Sequence, residues 1–278
     1  MRETLDSLVA QTFRDLELII CDNASTDDTE RICRDYAARD PRVRYVRNPT
    51  NIGVDRNFNL GFELARGAYF KWAPADDLNA PTLVERCVAV LDARPEAVLA
   101  YPQTRLIDEH GATLRDWDDE MDIQQAAPHA RLAHFLWHTE MCNVAFGVIR
   151  ADVVKRTLLY GSFSNSDVPF LAELVLYGTF VEVPERLFYR RMSQMSVNAY
   201  PTAAARMAMF EPAKVKSGKI FFPRWKQLRA HLAGIRRAPL SPTERLRCYA
   251  EMNIWLRRWG TTLTDELGEA ARRVLARG

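Results

Sequence analysis

The first hundred residues alternate between two hydrophobic periods. Residues 2–11 carry Leu5, Leu8 and Val9 at helical spacing, which predicts a short amphipathic helix. "LELIICD" (16–22) then runs apolar, with too few polar positions for a half-exposed strand; this is the pattern of a strand buried in a parallel sheet. Ser25 and Asp28 stand at capping-box spacing before a helix whose inner face carries Ile32, Cys33 and Tyr36. "VRYV" (43–46) predicts a second strand, "NPTNIG" a turn, residues 54–66 a helix, and "AYFKWA" (68–73) a third strand. Alternation of this kind argues for a parallel sheet with helices packed on it.

"PTLVERCVAVLDARP" continues as a helix and "AVLAYP" as a strand. Beyond residue 105 the rhythm loosens. "LIDEHGATL" predicts a hairpin with Gly111 in its turn, "MCNVAFGVIR" a strand, and "DVPFLAELVLYG" a helix stopped by Gly178. "FVEVPERLFYRR" predicts a strand pair broken by Pro184. Near the end, "SPTERLRCYAEMNIWLRRW" opens with Ser241 as N-cap, Pro242 at the first helical position and Glu244 completing a capping box. Its apolar stripe is Cys248, Tyr249, Met252, Trp255, Leu256 and Trp259.

Composition narrows the class. The 278 residues are 27% charged and 47% hydrophobic, which excludes disordered, collagen-like and disulfide-dense chains. The five cysteines are scattered, with no C-x-x-C pair, so a reducing compartment is the simplest reading and a zinc knuckle is not expected. No stretch reaches the ~20 apolar residues of a membrane span, and "MRETLDSLVAQTF" does not read as a signal peptide. The expected location is therefore the cytoplasm. The net charge of +2 conceals an asymmetry. Residues 214–278 hold 15 Lys/Arg against 5 Asp/Glu, whereas residues 1–213 hold 23 against 31. An acidic body with a basic tail suggests different partners for each.

Ligands of open α/β sheets bind beyond the carboxyl ends of the strands. Asp22 closes "LELIICD", and Asp76 and Asp77 follow the third strand. If both strands share one sheet, these carboxylates share an edge suited to Mg2+ or Mn2+ completed by substrate phosphates. Each also has a plainer reading: Asp22 as an Asx cap or turn residue, Asp76–Asp77 as loop acids favoured by the next helix dipole. Neither G-x-G-x-x-G nor G-x-x-x-x-G-K-[ST] occurs, so Rossmann-cofactor and P-loop sites lack their anchors.

The order of these segments, "ETLDSLVAQTFRDLELIICDNASTDDT" and then "NPTNIGVDRNFNLGFELARGAYFKWAPADDL", resembles the family 2 glycosyltransferases, which have the GT-A nucleotide-sugar fold. The resemblance runs from residue 1 to about residue 198, with a basic helical extension over residues 201–278 beyond it. It implies an α/β domain over 1–200 with a central, mostly parallel sheet. It further implies a nucleotide-diphosphate sugar donor, a hydroxyl acceptor, and inverting transfer in surface polysaccharide or glycan synthesis. In that family the position of Asp22 contacts the nucleoside; Asn23, Asn51 and Asn57 fall in the matching donor-site segments. "PADD" falls on the DXD-type motif, making Asp76 a metal and donor ligand with Asp77 beside it. "NSDVPFLAELVLYG" looks like the segment carrying the general base, pointing to Asp167, whose plainer role is a helix N-terminal acid. "LFYRRMSQMS" resembles the segment that closes over the diphosphate, making Arg190 and Arg191 candidate phosphate contacts.

The sequence departs from the family at four points. The family opens with a strand and a P-x-Y-N-like turn ahead of the helix that here begins at Arg2; without them, ladder groups of "LELII" are expected to lack a partner on one side. Pro74 replaces the first acid of many DXD-type motifs, Met192 a histidine, and Ser166 a glutamate before the base. These changes support an alternative in which the chain is a catalytically impaired nucleotide-sugar-fold module acting through its basic tail. A nucleotidyltransferase is a third reading. The tail itself (214–259) either lies on an anionic membrane surface with Trp255 and Trp259 at the interface, or packs its aromatic stripe on the domain. The first would suit a lipid-linked acceptor and a peripheral enzyme on the inner face of the membrane. No nucleic-acid-reading motif accompanies the charge, and nucleic acid is not an expected partner.

Overall fold

The structure, a computed structural model, describes residues 1–192, 203–212 and 222–275. The last residues of "LFYRRMSQMS", the boundary placed at 200–201 and the start of the basic tail lie outside them.

The predicted alternation forms at the start of the chain. Helix α1 (Arg2–Val9) buries Leu5 and Leu8. Strand β1 (Leu18–Asp22), helix α2 (Thr29–Arg39), strand β2 (Val43–Arg47) and helix α3 (Val54–Leu64) follow. The capping box at Ser25–Asp28 does not form: Asp28 is the N-cap of α2 without a side-chain cap bond and pairs with Arg31, while the Ser25 N–H goes to Asp22. Strands β1 and β2 pair in parallel, from Leu18 opposite Val43 to Asp22 opposite Arg47. They form a two-stranded sheet of their own. Since the Leu18 N–H bonds the Arg42 carbonyl and the Asn48 N–H bonds that of Asp22, the even-numbered residues of β1 face β2. Ile19 and Cys21 face the other edge, where Asn57 Nδ2 donates to the Cys21 carbonyl at 2.8 Å. The apolar residues of β1 are only half-buried. In exchange experiments on this chain, the amides of Ile19 and Cys21 are expected to exchange roughly tenfold or more faster than that of Ile20. Equal protection would show that the free edge is covered.

The larger sheet is built from β3 (Tyr69–Phe70), β4 (Leu78–Asn79), β5 (Ala97–Ile107), β6 (Thr113–Trp117), β7 (Val148–Arg150) and β8 (Thr179–Arg191). Its order is β3-β7-β5-β8-β4, with β6 paired to β5. Only β5–β8 is parallel; the other pairs are antiparallel, so the sheet is mixed rather than mostly parallel. The predicted third strand is only two residues long. Gly111, at φ +86°, makes the β5–β6 turn as expected. "MCNVAFGVIR" is not one strand: Cys142 takes left-handed backbone (φ 54°), Asn143–Phe146 form a 3-10 turn, and pairing resumes at Val148. Nor does Pro184 divide its segment. β8 runs through it, and the irregularity is taken up as a bulge in which Pro102 faces Val183 but Gln103 faces Arg186.

Helices α4 (Leu83–Ala93), α6 (Ala151–Val154) and α7 (Asp167–Tyr177) contact this sheet, and α5 (Pro128–His138) packs on α7. α7 ends at Gly178, where a Cβ would collide with the Glu96 carbonyl oxygen. Helices α8 (Ala203–Phe210), α9 (Pro223–Arg237) and α10 (Pro242–Leu275) complete the described chain. Ser241 does cap α10, its Oγ accepting the Glu244 N–H at 3.2 Å, but the Glu244 carboxylate turns to His129 and Arg247. The aromatic stripe of α10 packs inward. Cys248, Met252 and Trp255 join Phe135, Phe170, Leu171 and Phe180 in the main core. Trp255 is 3% exposed, which removes it from any membrane interface, and Trp259 is half-buried. Among the described residues no helix is long and apolar enough to cross a membrane.

Candidate active site

The sites predicted from sequence fall in two places. The first is the loop after β1. Asp22 is buried there, its carboxylate accepting from the Ser25 N–H at 2.8 Å and the Tyr45 O–H at 2.6 Å, with Arg47 Nε at 3.3 Å. Burial works to raise its pKa, but the Tyr45 and Ser25 hydrogen bonds and the Arg47 charge prevail and hold it below the usual range. Its plainer local role is thus realised, though as a cap on the N–H three residues on, and its side chain has no exposed surface. The amides beside it form one network. Asn23 Nδ2 donates to Asn51 Oδ1, Asn48 Nδ2 to Asn23 Oδ1 and Asn57 Oδ1, and the Ile52 and Gly53 N–H groups to Asn23 and Asn51. Asn48 belongs to this network although sequence reasoning missed it; its place inside an Asn-Pro turn was the available signal.

The second place is the carboxyl-end side of the larger sheet. The loop carrying Asp76 and Asp77 is tied to α1 by Thr4 Oγ1, which donates to the Ala75 carbonyl at 2.9 Å. Asp76 is exposed and Asp77 buried. The Asp77 carboxylate accepts the Arg191 N–H at 2.8 Å, and burial, against that bond, pushes its pKa up to about 6. Arg191 is fully engaged as a brace: Nε donates to the Asp76 carbonyl, the guanidinium also reaches the Asp108 and Glu109 carbonyls, and Glu3 pairs with it at 2.7 Å. That leaves its guanidinium little freedom to meet a phosphate.

Arg190 is placed differently. Its guanidinium donates to the Met141 carbonyl at 2.7 Å and to Asn143 Oδ1. Asn143 Nδ2 in turn donates to both oxygens of Asp119, at 3.1 and 3.2 Å, and Thr104 adds a third bond. Burial pushes Asp119 up to about 6 against those bonds. The Arg190 charge acts on Asp77, Asp119 and Asp167 alike, so it is the common cation of three acids from distant parts of the sequence. Asp119 was not predicted. It sits in the acidic run "DWDDEMD", and the tertiary pairing with Thr104 and Asn143 singles it out.

Asp167 opens α7. It is half-buried, and burial raises its pKa despite its bond from the Val168 N–H and the nearby Arg190. Burial makes this carboxylate a stronger proton acceptor than an ordinary one. Ser166, one residue earlier, donates to the buried Asp55 at 2.9 Å, linking the starts of α3 and α7. The structure therefore brings Asp77, Asp167 and Arg190 into one electrostatic centre, while Asp22 belongs to the separate β1–β2 sheet.

A divalent cation would find limited protein ligands. Among the described residues, no group of three or more His, Cys, Asp or Glu side chains converges on one point. Asp76 alone offers an exposed carboxylate at the predicted position, since Asp77 is buried against Arg191. One hard oxygen ligand fits Mg2+ or Mn2+ held mainly by water and substrate phosphates, and does not fit an all-protein cage.

This architecture is the GT-A fold, matched by solved glycosyltransferases despite low identity. S. aureus TarS 1-349 in complex with UDP-GlcNAc superposes with a TM-score of 0.68 at 14% identity, covering 96% of this chain and 76% of that one. The mannosyltransferase PcManGT of Pyrobaculum calidifontis, in complex with GDP-Man and Mn2+, gives 0.51 at 17% identity over 99% and 76%. Residues 1–156 match the profile of Glycosyl transferase family 2, and the chain belongs to that family. Chondroitin synthase of Escherichia coli is 36% identical over 107 residues, 38% of this chain and 16% of that protein. An uncharacterized Mycobacterium tuberculosis protein is 42% identical over 115 residues, 40% and 33%. The matches thus span a third or less of these two curated relatives.

Proposed function

We propose that this chain transfers a sugar from a nucleotide-diphosphate sugar to a hydroxyl acceptor, with inversion at the anomeric carbon. The observation that carries the reading is the electrostatic centre of Asp167, Arg190 and Asp77 at the start of α7 and the end of β8. Family membership supports sugar transfer. The UDP-GlcNAc and GDP-Man bound to TarS and PcManGT support the donor class.

Asp167 takes the proton of the acceptor hydroxyl. That oxygen forms a bond to the anomeric carbon from the face opposite the diphosphate; the carbon–oxygen bond to the diphosphate breaks, and its electron pair leaves with the nucleoside diphosphate. Arg190 stands close enough to Asp167 to lower its pKa and is the best placed cation for the leaving phosphates. Arg191 acts at one remove, fixing the Asp76–Asp77 loop, and the Asn23–Asn51–Asn57 network shapes the wall on the nucleoside side. Asp76 would hold a Mg2+ or Mn2+ ion, which when bound neutralises diphosphate charge as a Lewis acid. Synthesis of a surface polysaccharide or glycan is the setting that the chondroitin synthase relative supports.

The test is nucleoside diphosphate release from UDP-, GDP- and dTDP-sugars with Mn2+. Release with at least one donor is expected, with about tenfold or greater loss in EDTA or in Asp76→Ala. No binding of any donor would reject the reading in favour of a catalytically impaired module, for which the burial of Asp77 is the specific support.

A further inference from the structure

Helices α9 and α10 meet the front of α7 at a pocket whose chemistry the transfer centre does not use. Its wall is made by Asn165, Val168, Arg224, Trp255, Arg258 and Trp259, among others. Asn165 and Val168 flank Asp167 in the chain, and Asn165 is held in left-handed backbone at φ 60°. The two arginines share one aromatic ring: the Arg224 guanidinium carbon lies 3.4 Å from the Trp259 ring centroid and that of Arg258 5.6 Å. Each is anchored by a neutral acceptor, Arg224 by Gln227 Oε1 at 2.7 Å and Arg258 by the Thr139 carbonyl at 2.9 Å. Gln227, 1% exposed, is itself tied to the Asn165 carbonyl, so the cations and the loop before Asp167 are one assembly.

Among the described residues neither arginine forms a salt bridge through its guanidinium; the Glu266 carboxylate bonds the Arg224 and Trp225 backbone N–H groups, and its charge also acts on Arg224. Glu140, the acid on the pocket wall, is exposed and therefore screened by water. Trp255 Nε1 is buried in the same wall without a partner among the described residues. Two guanidinium forks stacked at one ring keep N–H edges available for a planar or tetrahedral oxyanion. The pocket also lies within electrostatic reach of the transfer centre, because the buried Cys142 thiol responds to Asp167, Asp119, Arg190 and Arg258 together.

We propose that this pocket is an acceptor subsite for a negatively charged group, a phosphate or carboxylate on the hydroxyl-bearing acceptor, gripped by Arg224 and Arg258 while Trp259 packs against the acceptor. The assignment as acceptor site rests on the transfer reading above; the anion site itself does not. Basic residues of the tail thereby serve substrate recognition.

Binding to the full chain is followed by tryptophan fluorescence with three probes: glucose 6-phosphate, glucuronate and the neutral methyl glucoside. One or both anions are expected to bind at least tenfold more tightly than the neutral sugar, and which one binds identifies phosphate or carboxylate as the recognised group. Arg258→Gln, at an exposed position, is expected to weaken the anion about tenfold, and Arg224→Gln at least as much. Donor affinity, measured by calorimetry, serves as the folding control and stays within about twofold. Equal binding of charged and neutral probes, or anion affinity unaltered in both variants, overturns the subsite. Anion binding that survives in a chain with no donor affinity would instead keep the site and remove its role in transfer.

Discussion

Asp167→Asn is expected to lower sugar transfer by about 100- to 10,000-fold, the range a general base contributes, with donor affinity nearly unaltered. Asparagine keeps the volume and the bond from the Val168 N–H but cannot take the acceptor proton. The transfer rate of the parent chain should rise with pH through a midpoint above the ordinary carboxylate range, since burial raises this group. Stability provides the control. A carboxyl group whose folded pKa lies above its unfolded value loses stabilisation as pH rises through that interval. Removing its titration therefore leaves the chain as stable at low pH and more stable at high pH. A variant that transfers sugar at the parental rate would sink the assignment, and one that loses donor binding along with transfer would assign Asp167 to the donor pocket.

Local pattern made part of this site legible. "LELIICD" reads as a strand because an apolar run ends at one acid, and Asp167 reads as a helix opener because a polar Asn-Ser-Asp step precedes nine buried residues. What pattern could not show is which polar groups are already spent. Arg190 and Arg191 are adjacent on β8, where alternation sends neighbouring side chains to opposite faces. One therefore meets Asn143 and the acids while the other ties Glu3 to the Asp108–Glu109 carbonyls. Asp77 and Asp76 divide the same way, one buried against the Arg191 N–H and the other exposed. The 3-10 turn at Asn143 was hidden because its apolar residues fit a buried strand equally well; Cys142 in left-handed backbone decides it, and no local residue preference announces that conformation. In the tail, a Trp-rich stripe with arginines on the other faces is compatible with lipid or with protein, and burial of Trp255 decides for protein.

The largest effect of pH on stability is expected at Asp55. The residue is 5% exposed at the start of α3; Oδ1 accepts the Ser166 hydroxyl, and Oδ2 has no partner among the described residues. Burial, aided by the Asp167 charge and opposed by the Ser166 bond, pushes its pKa up to about 8. In the unfolded chain it titrates near the ordinary value of about 3.9. Between those limits the folded state holds a proton that the unfolded state has released, so stability falls as pH rises from about 4 to about 8. At about 1.4 kcal/mol per pKa unit, the full effect is on the order of several kcal/mol. Asp77 and Asp119, raised to about 6, steepen the lower half of the fall. Urea midpoints should therefore decline up to pH 8 in the parent chain but fall much less above pH 6 in Asp55→Asn, which lacks the Asp55 carboxyl that ionises in that interval. Parallel curves for the two proteins would show that Asp55 is not the group responsible. A second comparison isolates the link to the transfer centre. Because the Asp167 charge helps to hold Asp55 protonated, Asp167→Asn should move the upper end of the parental decline to lower pH. That displacement would connect the two acids through the start of α7, where the Ser166 hydroxyl bonds Asp55.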